Sequence, residues 1–282
     1  MVRYLLYKIA LFFVHCLPYK VSYRIAIFLS NMHYWLSFKD RKAVIGNLRA
    51  ITGKEDITFE AKEVFRNFGR YLHEFFIMDK VLDKEYIRKN IKIKNIRRIQ
   101  HVLDKGKGGI LVTAHIGNWE LGGVVVSMLG YPLTAVALPH KERPVNDLFN
   151  SRRQSKGVKV APLQNAVRMC MSAIKRNELI ALVADRDFSS NGEVMDFLGK
   201  KAFIPKGAAV LSKKTGAPII PAFLIRKDIG QFTLFVCNPI FPDKNFGHND
   251  DVKPLMRKYL SVIEDMIRRY PSQWLMFRRF WV

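Results

Sequence analysis

The sequence predicts an α/β domain over residues 39–282, a mixed, largely parallel sheet flanked by helices, preceded by a membrane-anchoring helical segment over residues 1–38. Three observations carry this expectation. Beyond residue 105, short apolar runs rich in β-branched residues alternate with helix-length amphipathic stretches, the pattern of strand–helix–strand units. No linker-like tract interrupts that alternation. Residues 1–36 hold two apolar, aromatic stretches with few charges.

The N-terminal stretch, 5–17, is apolar except for Lys8 and His15. A helix of that length covers ~20 Å, short of a hydrocarbon core of ~30 Å. With the second stretch, 25–36, it fits a short spanning or interfacial anchor. Cys16-Leu17-Pro18 is a poor small-residue cleavage site, which argues against a signal peptide. Lys8, Arg24, Lys39, Arg41 and Lys42 are expected to sit near anionic headgroups on the cytoplasmic side.

Residues 39–104 contain no proline and few glycines and read as helical, with Thr58 expected to cap a helix whose apolar positions include Ala61, Val64, Phe65 and Phe68. After a glycine-rich turn, 109–114 is a buried strand by pattern, and Asn118 caps a helix running to about Leu129. Strands are expected at 131–138, 179–184, 218–225 and 232–236. Helices are expected at 146–153, 166–176, 205–215 and 253–270, and 188–205 reads as a loop.

Composition narrows the function. Hydrophobic residues make up 49% of the chain, enough for a substantial core. Lys and Arg number 47 against 24 Asp and Glu, a net charge of +23, which favours anionic partners. The basic residues are interleaved with apolar ones, a pattern that suits a membrane surface at least as well as a duplex. The charge alone would allow a non-catalytic, basic membrane- or nucleic-acid-binding protein, but such a protein has no role for the placed pair His115 and Glu120, so nucleic acid is not expected as a partner. Cys16, Cys170 and Cys237 are isolated and odd in number, so neither a disulfide framework nor a metal site is expected. HExxH, GxSxG, P-loop and GxGxxG motifs are absent, which counts against zinc protease, serine hydrolase, NTPase and dinucleotide-binding functions.

The segment from Thr113 to Gly123, TAHIGNWELGG, concentrates the chemistry. His115 follows a strand and precedes a capped helix, where α/β folds place ligands. Glu120 lies in that helix's first turn and is expected to fold back towards the imidazole. Histidine suits proton abstraction near neutral pH, and a carboxylate on its second ring nitrogen would fix the tautomer. Asp185, Arg186 and Asp187 end the 179–184 strand, either as a binding or positioning site or as turn caps. Arg152 and Arg153 offer a guanidinium fork for phosphate or a solvated helix face. Lys206, at a helix start, is a weaker anion-site candidate. Trp274, Phe277, Phe280 and Trp281 fit either a membrane-interface belt or a docked C-terminal strand.

The block from His115 to Gly123 resembles the first block of the lysophospholipid acyltransferase superfamily, most specifically the late acyltransferases of lipid A biosynthesis, which use H-x4-E. Further blocks agree in order. Ala184-Asp185-Arg186-Asp187-Phe188 is similar to the family's D-x-D-[FY]. Phe197-Leu198-Gly199 with the downstream Phe203-Ile204-Pro205-Lys206-Gly207 resembles F-[FL]-G and its sequel. The segment TGAPIIP from Thr215 to Pro221 resembles the block after it. PSQWLMFRRF from Pro271 resembles the terminal P-E-Q-W-x-W-x-H-R-R-[WF]. Phe277 stands where the family often has His, and Phe188 is not followed directly by Gly. The resemblance, from about residue 40 to the end, implies an acyltransferase with acyl-acyl carrier protein as donor and a hydroxyl of an anionic lipid A precursor as acceptor. A lysophospholipid or other glycolipid is the alternative acceptor. It implies His115 and Glu120 as catalytic residues, with Asn118, Arg152, Arg153, Asp185, Arg186, Asp187 and Lys206 near substrate. It implies no metal or organic cofactor, and a location on the cytoplasmic face of the bacterial inner membrane.

Overall fold

The computed structural model describes residues 2–187, 192–242 and 251–282; Phe188 and His248 lie outside them. The chain begins with helices α1 (Val2–Cys16), α2 (Tyr19–Leu36), α3 (Phe38–Thr52), α4 (Thr58–Val81) and α5 (Lys84–Asn90), then β1 (Ile91–Lys94) and α6 (Arg97–Leu103). The central units are β2 (Gly109–Thr113), α7 (Trp119–Met128), β3 (Leu133–Ala137), α8 (Arg143–Gln154), β4 (Lys159–Pro162), α9 (Ala166–Lys175) and β5 (Leu179–Val183). They are followed by β6 (Glu193–Phe197), β7 (Lys200–Ile204), α10 (Gly207–Thr215), β8 (Ile219–Asp228), β9 (Gln231–Val236) and α11 (Lys253–Arg269).

Seven strands form one sheet in the order β1-β9-β8-β2-β5-β3-β4, parallel throughout except for the antiparallel pair β8–β9. Residues on β2 alternate between two cores, because successive side chains point to opposite faces of a strand. Ile110 and Val112 pack with α9, α10 and α11, whereas Leu111 packs with α4, α7 and α8. Helices thus cover both faces, which explains why the central strands read as continuous apolar runs.

Several elements depart from the sequence expectation. Strand β1 lies inside the region read as helical, and β4 was not expected; both are four-residue edge strands, too short to show a period. The stretch read as a loop, 188–205, contains the antiparallel hairpin β6–β7. Leu198 and Gly199 both have positive φ (53° and 86°), so Phe197-Leu198-Gly199-Lys200 makes the tight turn whose twist matches the strands. Helix α4 starts at Thr58, but the Thr58 side chain does not cap it; its backbone N–H donates to Asp56 Oδ1 at 3.1 Å. Helix α8 starts three residues earlier than expected, with Pro144 in its first turn.

The N-terminal helices pack on α4 through one side only. Residues at helical spacing on their other side, among them Phe12, Phe28, Trp35 and Leu36, are exposed. Among the described residues no helix is long and apolar enough to cross a membrane. At the other end of the chain, Trp274, Phe280 and Met276 are buried in the core, and Phe277 packs edge-on against Phe65 and Phe68. The terminal aromatic block is therefore a docked segment and not a belt facing lipid.

Candidate active site

Strands β2 and β5 run parallel with Thr113 level with Val183. Each strand continues for two residues, Ala114-His115 and Ala184-Asp185, and Ala184 N–H donates to Thr113 O at 2.8 Å. That register sets His115 beside Asp185 at the carboxyl ends of the strands. His115 Nδ1 lies 2.7 Å from Asp185 Oδ1, and the His115 backbone N–H donates to Asp185 Oδ2 at 3.0 Å. Trp274 Nε1 donates to the same Oδ2 at 2.8 Å.

Asp185 is fully buried. Burial alone would push its pKa up, but the neighbouring His115 and the hydrogen bonds from His115 and Trp274 outweigh it and hold the carboxyl below its usual range. An ionised carboxylate only accepts, so the proton on the imidazole sits at Nδ1. Nε2 then carries the lone pair, and no described group is hydrogen-bonded to it. Trp119 meets the ring edge-on at 4.8 Å and stacks on Tyr71 at 4.5 Å.

The loop carrying His115 is fastened at each residue. His115 O accepts from Leu275 N–H at 2.7 Å, Gly117 N–H donates to Gln273 O at 3.0 Å, and Asn118 N–H donates to Leu224 O at 2.9 Å. Gly117 has φ +63°, and a Cβ there would come within 2.1 Å of Leu224 O, so only glycine fits. Asn118 caps α7 by accepting from Leu121 N–H at 3.0 Å, and its amide donates to Glu74 Oε2 at 2.8 Å. Glu74 forms a forked pair with buried Arg226 (2.7 and 2.5 Å), whose Nη1 donates to Asn67 Oδ1.

Glu120 does not take the position expected of it. Its two oxygens accept from Arg153 Nη2 and Nε at 2.6 and 2.7 Å, a bidentate pair. The physical reason is the direction of α7: its first turn faces α8, where Arg153 stands, while the carboxylate on the imidazole comes from the neighbouring strand. Glu120 and burial act oppositely on Arg153. Burial favours the neutral guanidine, the carboxylate beside it prevails, and the pKa rises.

The two arginines separate cleanly. Arg153 belongs to the Glu120 pair, whereas Arg152 Nη1 donates to Phe76 O and Asp79 Oδ1, both at 2.6 Å, tying α8 to α4. Lys206 Nζ pairs with Glu193 Oε1 at 3.0 Å. Arg186 and Asp187 are half-buried just past Asp185. Burial and the nearby Arg278 lower the Arg186 pKa. Among the described residues no cluster of His, Cys, Asp and Glu is arranged to hold a metal ion.

An apolar slot of about 60 Å³ runs under α7 against the sheet, lined by Trp119, Gly123, Ala135 and Ala181, with Glu120 and Arg153 in its wall. A second, of about 40 Å³, lies across Trp119 and Gly123 and reaches Phe223 and Leu234. Small residues at Gly123 and Ala181 leave both spaces open. Trp119 touches the imidazole and lines both slots, which places them next to His115.

The roles of Trp274, Gln273, Glu74 and Arg226 were missed in the sequence. For Asp185 a signal was present: two parallel strands that both end in Ala followed by an ionisable residue.

A histidine oriented by a buried carboxylate thus stands at the carboxyl ends of parallel strands, beside an apolar slot with room for an aliphatic group. The chain belongs to the bacterial lipid A biosynthesis acyltransferase family, whose profile matches residues 1–282. It is an enzyme that acylates lipids. A phosphatidylinositol mannoside acyltransferase of Mycolicibacterium smegmatis is 26% identical over 220 residues, 77% of this chain and 70% of the relative. One of Mycobacterium tuberculosis is 28% identical over 221 residues, covering 77% and 68%. A lipid A biosynthesis acyltransferase of Haemophilus influenzae is 26% identical over 198 residues, covering 69% and 60%.

Proposed function

We propose that this enzyme transfers a fatty acyl chain from acyl-acyl carrier protein to a hydroxyl of a lipid A precursor. The observation that carries the reading is His115 Nδ1 bound to buried, ionised Asp185, which leaves Nε2 as the base. The acceptor hydroxyl gives its proton to Nε2 as its oxygen attacks the thioester carbonyl. The tetrahedral intermediate collapses with cleavage of the C–S bond, and the imidazolium returns the proton to the departing thiolate. Products are the ester and the free carrier thiol. Asp185 fixes the tautomer and stabilises the imidazolium, the part first expected of Glu120. Glu120 and Arg153 instead shape the wall of the slot, where the acyl chain would lie. Arg186 is the nearest cation past Asp185 for an acceptor phosphate, with Asp187 beside it. The chemistry needs neither metal nor organic cofactor.

The basic surface suits both an acidic carrier protein and an anionic lipid. The exposed apolar stripe of α1 and α2, with Lys8, Lys20, Arg24, Lys39 and Lys42 exposed around it, would lie in one leaflet of the inner membrane on its cytoplasmic face. Nucleic acid has no part in this reading. A second acceptor, a mannosylated or other glycolipid, draws support from the mycobacterial relatives.

The test supplies reconstituted protein with acyl-carrier proteins of several chain lengths and, separately, a tetra-acylated lipid A precursor, a glycolipid and a lysophospholipid. Product mass is then read. An acyl increment on the lipid A precursor supports the proposal. Transfer only to another lipid replaces the acceptor, and no transfer to any lipid overturns the reaction.

A further inference from the structure

We propose that Trp274 is a positioning residue for acyl transfer, its indole N–H holding the Asp185 carboxylate in register with the imidazole. The inference rests on the reading of His115 and Asp185 as the working pair. Asp185 is fully buried, and its contacts divide between its oxygens: Oδ1 faces His115 Nδ1, while Oδ2 accepts from the His115 backbone and from Trp274 Nε1. The backbone bond moves with His115 itself. Among the described residues, Trp274 is thus the donor that ties the carboxylate to a different part of the chain.

The indole is itself held. Trp274 is 2% exposed, with Phe280 edge-on at 5.0 Å. Its backbone bridges Ile116, and on either side Gln273 O accepts from Gly117 and Leu275 N–H donates to His115 O. Asn47 Nδ2 reaches the carbonyls of Met276 and Arg278 at 3.1 and 2.8 Å, fastening the same segment to α3. One short stretch therefore grips both members of the pair, the histidine through its backbone and the carboxylate through an indole.

The choice of donor matters chemically. An indole N–H donates without carrying charge. An arginine in its place would compete with the imidazolium for the carboxylate and weaken the base. Without the N–H, fully buried Asp185 loses a donor and becomes more basic. It then pulls harder on the Nδ1 proton and alters the balance of charge across the pair, which the acid limb of the pH–rate profile reads. The carboxylate also becomes free to turn about its Cβ–Cγ bond.

The experiment compares full-length wild type, Trp274→Phe and a semisynthetic protein in which Trp274 is replaced by its benzothiophene isostere, which keeps the ring shape and lacks the N–H. Thermal midpoint, KM for the acyl donor, kcat and the pH profile of kcat/KM are measured. The expected result for the isostere is a ~10-fold or greater fall in kcat, KM within ~2-fold, and an acid limb moved by ~0.5–1 pH unit. A folded isostere variant with wild-type kcat and acid limb overturns the proposal and leaves Trp274 a packing residue. If Trp274→Phe fails to fold, the isostere decides. His115→Ala and Asp185→Asn run in the same assay separate the two failures. Loss of transfer in both, with a wild-type isostere, removes only the role of Trp274; unaffected transfer in both removes the site reading on which it stands.

Discussion

Buried Glu74 and Arg226 make the most quantitative test of how the loop is held. Glu74 takes two bonds from Arg226 and one from the amide of Asn118, and both charged side chains are nearly inaccessible. In Glu74→Met, Arg226 becomes an uncompensated buried cation, and the Asn118 amide loses its acceptor. Breaking one side of such a pair costs about 3–5 kcal/mol. Replacing both partners by apolar residues of similar volume removes the buried charge altogether and is often close to neutral. At roughly 2 °C per kcal/mol for a chain of this size, the single variants should melt about 6–10 °C below wild type. The double variant Glu74→Met/Arg226→Met should recover most of that loss. A double-mutant cycle by calorimetry or chemical denaturation is then expected to give a coupling above ~2 kcal/mol. Additive losses would refute the reasoning, because they would mean that each charge is stabilised by something other than its partner.

Three further outcomes follow from the geometry. Gly117→Ala should abolish transfer, since its Cβ would meet Leu224 O at 2.1 Å and displace the loop two residues from His115; wild-type kcat in that variant would contradict the close approach. His73 is buried and hydrogen-bonded to Ser22 through Nε2, and burial lowers its pKa from 6.5 to about 4 despite the opposing charge of Glu74. The unfolded chain binds the proton more readily, so this stability is complete above about pH 6.5 and falls by ~1.4 kcal/mol per pH unit as pH drops towards 4. Denaturation midpoints across that range should show the slope in wild type and lose it in His73→Gln. Ala181→Leu fills the slot beneath α7, so donor preference should move to shorter acyl chains, read by competition between carrier proteins of different chain length.

The sheet's centre was legible because its strands are apolar on both faces and end in punctuated turns: β2, His115 and the Asn118 cap stand where the pattern puts them. Short or exposed elements were not. Strand β1 is four residues of alternating Ile and Lys amid helices, and β6–β7 turns on Leu198, a residue seldom found at positive φ. His115, the base of the proposed reaction, was legible from its place at a strand end. Its partner was not, because sequence proximity favoured Glu120 while the parallel register of β2 and β5 brings in Asp185, 70 residues away. The terminal aromatic block left two readings open, lipid belt or docked strand, and only packing against Asp185 and Ile116 distinguishes them.

The assignment of the imidazole's partner is tested most directly by single-turnover acyl transfer in folded Asp185→Asn and Glu120→Gln, measured side by side against wild type. The account predicts a loss of ~10³-fold or more in the chemical step for Asp185→Asn, where the amide stabilises the wrong tautomer. For Glu120→Gln it predicts a smaller loss, expressed mainly in donor binding. A Glu120→Gln protein without detectable transfer, beside an Asp185→Asn protein working near the wild-type rate, would contradict it.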